Sequence, residues 1–391
     1  MREGWVETTL GGTAYVNPKE PPIGSDVPFI TMQDVQTWGT WASSSGPRGT
    51  RGGIRARGGD ILVARITPCL ENGKIAMVPT QIDRTGGSTE FIVVRAREHV
   101  LDKFVFLAVT HQPTHQRAIA LMTGTTGRQR VSGSDLAELS INLPPLPEQH
   151  RIVDLMGAVD AYVAAADARV EMARVARTAL LGDLLSNPGE DWVETTLGLL
   201  GRWKSGATPK ASNAKFYGGD IPFVTIADLN DGRIHETDKY LTEKGLAEIG
   251  HTAPTGAIFV SMYGTVGRIG IAQRPMTTNQ AIAWLEAESD AADAQFLFWW
   301  LFWHAGTFDQ QARGATQRTI NREIIKETPI SLPPLPEQHR IVDLMSAAAT
   351  EVAAAATTAA AARTLRTALL SDLLSGNHEI PASYDRFVEA A

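Results

Sequence analysis

The sequence predicts an α/β protein built twice over. Two globular α/β domains are separated by two long antiparallel helices that form a coiled-coil-like spacer, with pseudo-two-fold symmetry from a tandem internal repeat. Three observations predict this. The segment LPPLPEQHRIVDLM stands at 143–156 and again, letter for letter, at 332–345. Each copy runs into apolar residues spaced three and four apart, as on a helix with one apolar stripe. Ahead of each copy lie β-branched runs punctuated by Gly and Asn, which read as strands and turns.

The repetition reaches further. WVETTLGG at 5–12 returns as WVETTLGL at 192–199, and PFITMQDV at 28–35 as PFVTIADL at 222–229. ALLGDLLS at 179–186 returns as ALLSDLLS at 368–375. The resulting boundaries are 1–142 for the first globular domain, 143–186 for a central helical segment, 187–331 for the second globular domain, 332–375 for a C-terminal helical segment, and 376–391 for a tail.

In the variable parts, 28–35 and 222–229 read as β-rich segments ending near a turn. GDILVARI (59–66) and GAIFVSMYG (256–264) read as buried strands, and 102–122 and 290–313 as helical. TTGRQRVSGSDL (125–136) and GATQRTINREII (314–325) each offer a polar turn, then a β-branched residue (Val131, Ile320) and a polar one (Ser132, Asn321). A short element and a β-like segment follow. KSGATPKASNAKFYGGDIPFV (204–224) has no counterpart in the first domain.

Pro144, Pro145 and Pro147 lack the N–H a helix interior needs, so they read as a rigid lead-in. A helix from about 149 to 185 would be roughly 55 Å long at 1.5 Å per residue. Its stripe includes Ile152, Leu155, Met156, Tyr162, Val163, Val170, Leu181 and Leu184, with Arg177 the one break. The second copy runs through Ile341, Leu344, Met345, Val352, Leu370 and Leu373, and is alanine-rich at 353–356 and 359–362. A lone thin rod is marginal in water. The two would therefore bury one another, with the alanines permitting close approach. The competing arrangement is each helix packed on its own globular domain.

Composition narrows the function. The chain has 391 residues, a single cysteine (Cys69) and a formal charge of -7. An internal disulfide is excluded, and so is a cysteine-rich metal site. The N-terminus has no apolar run of signal-peptide type, and FLFWWLFW at 296–303 is too short to span a bilayer, so the expected location is the cytoplasm. Segment 1–142 carries 15 Lys and Arg against 13 Asp and Glu; segment 187–331 carries 13 against 17. Neither is a strongly basic polyanion binder.

Catalytic patterns are missing. There is no phosphate-binding GxxxxGK[ST], no GxGxxG, HExxH or GxSxG, and no [DNS]PP[YFW] of the kind that holds a flipped adenine. His150 and His339 recur at one position of the repeat, without acidic or cysteine neighbours at ligand spacing, which suits a helix start. Glu71 and Lys74 in PCLENGKIAM fit a hairpin turn at Asn-Gly better than a nuclease fragment. No catalytic or metal residue is expected, and the duplicated part reads as scaffold around loop-rich surface.

The loops offer cations. Arg48, Arg51, Arg55 and Arg57 lie in GPRGTRGGIRARGGD, where glycines let a backbone approach a phosphate or base edge. Lys204, Lys210 and Lys215 flank Thr208-Pro209 and Tyr217; Arg128, Arg130, Arg318 and Arg322 hold corresponding places ahead of the helices, and Arg268 completes the set. Trp38 and Trp41 suit either a core or an exposed contact.

INLPPLPEQHRIV and ISLPPLPEQHRIV, together with KSGATP…FYGGDIPFVTIADL, GATQRTINREII and the LLSDLLS helix end, resemble the specificity subunit of type I restriction-modification systems. The resemblance covers residues 1–375. The first domain departs from it, with AYVNPKEPPIGSDVPFITMQDV in place of the KSG-x-TP pattern and TTGRQR in place of GATQR. The resemblance implies two target recognition domains, each reading half of a bipartite, asymmetric DNA sequence. It implies helices that set the half-site gap and dock two modification subunits, with Pro144, Pro147, Glu148, Gln149, Leu155, Leu181, Pro333, Pro336, Glu337, Gln338, Leu344 and Leu370 as candidates for spacing and docking. It further implies that S-adenosylmethionine and adenine N6 methylation belong to those partners, and ATP and Mg²⁺ to restriction subunits, with no cofactor on this chain. The alternatives are a coiled-coil adaptor whose heads bind proteins, and a remnant of a fused restriction-modification enzyme.

Overall fold

The computed structural model describes residues 2, 4–44, 46–125, 127–288, 290, 292–314 and 318–385. They form two compact units, one of residues 1–167 with 357–391 and one of 168–356.

In the first unit, Val6–Thr9 pairs antiparallel with Ser140–Leu143, so the start of the globular part is tied to its end. A four-stranded sheet takes the order Ala14–Val16, Phe91–Ala96, Ile61–Ala64, Ile75–Met77. A three-stranded sheet takes the order Phe29–Ile30, Thr85–Gly87, Ile54–Ala56. Ile61–Ala64 is buried throughout because both its faces are covered. Ile61 and Val63 enter a core with Phe104 and Leu107, while Leu62 and Ala64 enter a second core with Ile30 and Val35. The period of two along a strand produces this division.

The second unit repeats the scheme with a larger sheet. Val193–Thr196 pairs with Pro329–Leu332. Five strands follow the order Gly201–Ser205, Ile282–Ala287, Ile258–Ser261, Ile269–Ala272, Gly232–Ile234. Ile258 and Val260 face one core and Phe259 the other. The aromatic run sits in the helix Ala294–Gln311, with Phe296 to Leu301 buried. Among the described residues no helix is long and apolar enough to cross a membrane.

Two expectations are corrected. Segment 102–122 is two helices, Asp102–Thr110 and Gln112–Ala120, because the chain turns at His111 and Pro113 opens the second. The long helices also begin earlier than expected, at Leu146 and Leu335, and end at Ser186 and Ser375. Pro147 and Pro336 are therefore inside the first turn, where no intrahelical partner exists for the N–H they lack. Each helix has 41 residues, about 60 Å at 1.5 Å per residue.

Each unit holds the beginning of one long helix and the end of the other. In the first, Ile152 and Met156 share a core with Leu370, Leu373 and Leu374. Asp160 pairs with Arg366 and Asp167 with Arg363, so the two segments run in opposite directions. In the second, Leu181 and Leu185 share a core with Ile341 and Met345, and Arg169 reaches Glu351 at 2.7 Å. The same cores contain Phe104 and Phe296 of the globular helices. Mutual burial and packing on the globular part thus occur together. Tyr162 and Leu344, placed on the stripe from spacing, are 55% and 38% exposed. Away from the globular cores each unit covers a narrow helical seam, with Ala166 and Ala359 buried in the first and Val170 and Ala355 in the second.

Candidate nucleic-acid interface

In the first unit three chain segments are hydrogen-bonded side by side. Arg65 N–H donates to the Glu90 carbonyl at 2.9 Å, and Val131 N–H to the Arg65 carbonyl at 3.0 Å. Thr67 N–H donates to the Gln129 carbonyl at 3.0 Å. This places Arg130 opposite Glu90, which it holds through two hydrogen bonds of 2.9 and 2.7 Å. The pairing holds the Glu90 carboxyl below its ordinary range. Arg128 stands exposed at the turn beside it.

The residues before Glu90 connect this ledge to the arginine loop. Ser88 and Thr89 line a cleft of about 360 Å³ with Phe29 and Arg51. Arg51 lies over the Phe29 ring, 4.3 Å from its centroid, and its Nε donates to the Arg48 carbonyl at 3.0 Å. Arg55, opposite Gly86 in the strand pairing, donates to the Glu20 carbonyl at 2.8 Å. Arg48, Arg51 and Arg55 are thus gathered around one strand. Arg57 is not among them; it sits at the turn closed by Asp60, whose carboxylate is held by Arg95.

The second unit builds a comparable ledge from four loops. Ala207 N–H donates to the Thr278 carbonyl, Met262 N–H to Ala281, Ile320 N–H to Met262 and Gly264 N–H to Arg318, all between 2.8 and 3.0 Å. Gly206 is required here, since a Cβ would lie 2.0 Å from Thr278 Oγ1 and 2.2 Å from the Asn279 carbonyl. Thr208 consequently meets Gln280, while Tyr217 anchors the loop by donating to the Pro209 carbonyl at 2.8 Å. Lys204 lies 5.1 Å above the Trp284 ring. Lys210 and Lys215 are exposed, with no ion pair among the described residues. Arg318 contacts Asp309, and Arg322 contacts Glu323 at 3.4 Å. Arg268 has a buried Nε without a partner. Ala315, Thr316 and Gln317 of the GATQR stretch, and Thr126 of its counterpart, lie outside the described residues, as do 386–391 of the tail.

Two residues of these ledges escaped sequence reasoning. Gln280 is exposed and bonded to Thr208, with an amide able to offer donor and acceptor to a base edge. The polar TTNQ stretch was its only signal. Arg65 has a buried, unpartnered Nε beside the Glu90–Arg130 pair, and read in sequence as part of a strand. Trp38 and Trp41 are 53% and 43% exposed; Trp38 packs edge-on against His115.

The spacing candidates divide. Pro144, Glu148, Gln149, Leu181, Pro333, Gln338 and Leu370 are buried, whereas Pro147, Pro336 and Leu344 are exposed, and Leu155 and Glu337 half-buried. Glu148 accepts from Trp5 Nε1 at 2.9 Å and pairs with Arg2 at 2.5 Å. Glu337 pairs with Arg340 at 2.7 Å. His150 is exposed, and His339 stands 3.9 Å from Asp293. Among the described residues no group of three or more His, Cys, Asp or Glu could hold a metal.

Each α/β unit thus carries a ledge of hydrogen-bonded loops that bears cations and polar side chains. The family profile described as type I restriction modification DNA specificity domain matches residues 9–169 and 189–356. The chain belongs to that family, and the curated relatives it matches are named as specificity subunits of type I restriction enzymes. It is 21% identical over 307 residues to a putative type I restriction enzyme MjaX specificity subunit of Methanocaldococcus jannaschii, covering 74% of this chain and 71% of that one. It is 29% identical over 169 residues to the type I restriction enzyme EcoEI specificity subunit of Escherichia coli, covering 39% of this chain but only 27% of that subunit's length. A solved chain from work on complex assembly and conformational transition of the type I R-M system shares the fold, with a TM-score of 0.64 at 22% identity over 95% of this chain and 98% of that one.

Proposed function

We propose that the chain reads a bipartite DNA sequence for a type I restriction-modification complex. The regions 1–142 and 187–331 would each read one half-site through the two ledges, and the helical segments 143–186 and 332–375 would act as a coiled-coil-like spacer setting the gap. The observation that carries this is the paired ledge: each globular part presents exposed cations and polar side chains on hydrogen-bonded loops beside a buried scaffold. Phosphate contacts from Arg51, Arg128, Lys210 and Lys215 would position the duplex, and Thr208 with Gln280 would face base edges. The ledges differ in sequence, so the target would be asymmetric.

Affinity on a chain of net charge -7 would depend on the assembled complex. The exposed Pro147 and Pro336 at the starts of the long helices, with Leu344 about two turns further along the second, would face two modification subunits. Those partners would carry S-adenosylmethionine and methylate adenine N6 after flipping the base. Restriction subunits would bring ATP and Mg²⁺, and the assembly would work in the cytoplasm. The test is co-purification with the modification subunit, followed by methylation of random-sequence DNA and mapping of modified adenines. A split motif with a fixed gap, seen only with both chains present, is expected. Methylation without this chain would overturn the reading.

A further inference from the structure

The duplicated long helices differ where charge should be balanced. In the first unit, Arg366 pairs with Asp160 and Arg363 with Asp167. The residues 189 positions from these arginines are Arg177 and Arg174, and both cations are kept. The residues 189 positions from the aspartates are Ala349 and Ala356, and both carboxylates are gone. Arg174 turns to Glu171 on its own helix at 2.7 Å. Among the described residues Arg177 forms no ion pair, and its buried Nε has no hydrogen-bond partner.

What stands in place of the carboxylates is a cleft of about 520 Å³ in the second unit, lined by Arg177, Ala349, Ala356 and Trp299. The volume is of small-molecule size. Phe298 and Trp299 form one side of it, and the Arg177 guanidinium lies 5.8 Å from the Trp299 ring centroid and 4.7 Å from that of Phe302, which is outside the lining. Trp299 Nε1 is a second buried donor without a partner. Asp231 lines the cleft too, but its Oδ1 accepts the Ile269 N–H at 3.1 Å and it forms no ion pair with Arg177. A half-buried guanidinium is stabilised most by a carboxylate that accepts two of its N–H groups, and among the described residues none does so for Arg177, Asp231 lying in the same cleft without an ion pair to it.

We propose that this cleft is a binding site for a small organic carboxylate, its anionic end on Arg177 and its apolar body against Trp299 and the space left by Ala349 and Ala356. The inference does not depend on the DNA-reading role. Benzoate is the probe, titrated into the full chain by calorimetry with tryptophan fluorescence as a second readout. Saturable one-to-one binding is expected, weakened at least tenfold in Arg177→Met. Ala349→Asp should restore the pair found in the first unit, raise the unfolding temperature and abolish benzoate binding. A folded wild-type chain that shows no saturable benzoate binding overturns the proposal, as does equal binding by folded Ala349→Asp.

Discussion

The side-chain oxygen of Gln338 accepts the backbone N–H of Asp293 at 2.7 Å, while its amide nitrogen donates to the Pro333 carbonyl at 2.8 Å. Gln149 does the same with the Leu101 N–H and the Pro144 carbonyl, both at 3.0 Å. Asp293 and Leu101 are the residues that open the helices Ala294–Gln311 and Asp102–Thr110. One glutamine of the repeated segment therefore fastens the start of a long helix to the start of a globular helix in each unit. Its burial, complete for Gln338 and nearly so for Gln149, makes it a structural clamp.

Replacing Gln338 by Leu leaves a backbone donor and a carbonyl without partners. An unsatisfied buried group costs about 1–3 kcal/mol. The second unit should unfold several degrees earlier in a thermal scan. An unchanged transition would mean that water satisfies both groups.

Acid should weaken the first unit through His115. This ring is 2% exposed, and its Nε2 bonds the Leu70 carbonyl at 2.7 Å. Burial lowers its proton affinity from an ordinary value near 6.5. A depressed folded value means the unfolded chain takes up the proton first. The stability contribution is complete above about 6.5 and is lost as pH falls through the folded value. His111 acts in the same direction, also through burial. Unfolding temperatures measured from pH 7.5 to 5 should fall more steeply for the wild type than for His115→Gln.

Lys210 and Lys215 are exposed without ion pairs among the described residues, so their loss should spare stability. If each contacts a phosphate, Lys210→Ala and Lys215→Ala should each reduce the slope of log K against log salt by about 0.9. Binding by the assembled complex at several salt concentrations measures this. Unaltered slopes would remove these residues from the phosphate contacts.

Excising one turn, three or four residues, from one long helix shortens it by about 5 Å. The tolerated gap between half-sites should change, or recognition should weaken, as read by mapping methylated adenines. An unchanged gap would sink the role of the helices as a ruler.

Exchanging 187–331 for the corresponding segment of an unlike relative should alter one half-site only. Changes in both would show that the two regions do not read independently.

Much was legible in the sequence because repetition and period are local properties. The fourteen-residue identity, the three-four spacing after Leu146 and Leu335, and the buried runs ILVA and IFVS foretold the helices and central strands. Ser132 and Asn321 were placed ahead of short elements, and each caps one, accepting from Asp135 N at 3.0 Å and Ile324 N at 2.8 Å. Less of the candidate interface could be read. Arg130 and Arg128 look alike as letters, yet one is held by Glu90 and the other is exposed.

The sequence by itself determined the doubling, the helix periodicity and the loops that carry the cations, since each depends on neighbours a few positions apart. The tertiary structure decided which cations have partners and which glutamines are clamps. It also decided that Arg177 faces alanines where Arg366 faces Asp160. Those outcomes depend on residues far away in the chain, and the energy of a charge or a polar group is set by what burial places beside it.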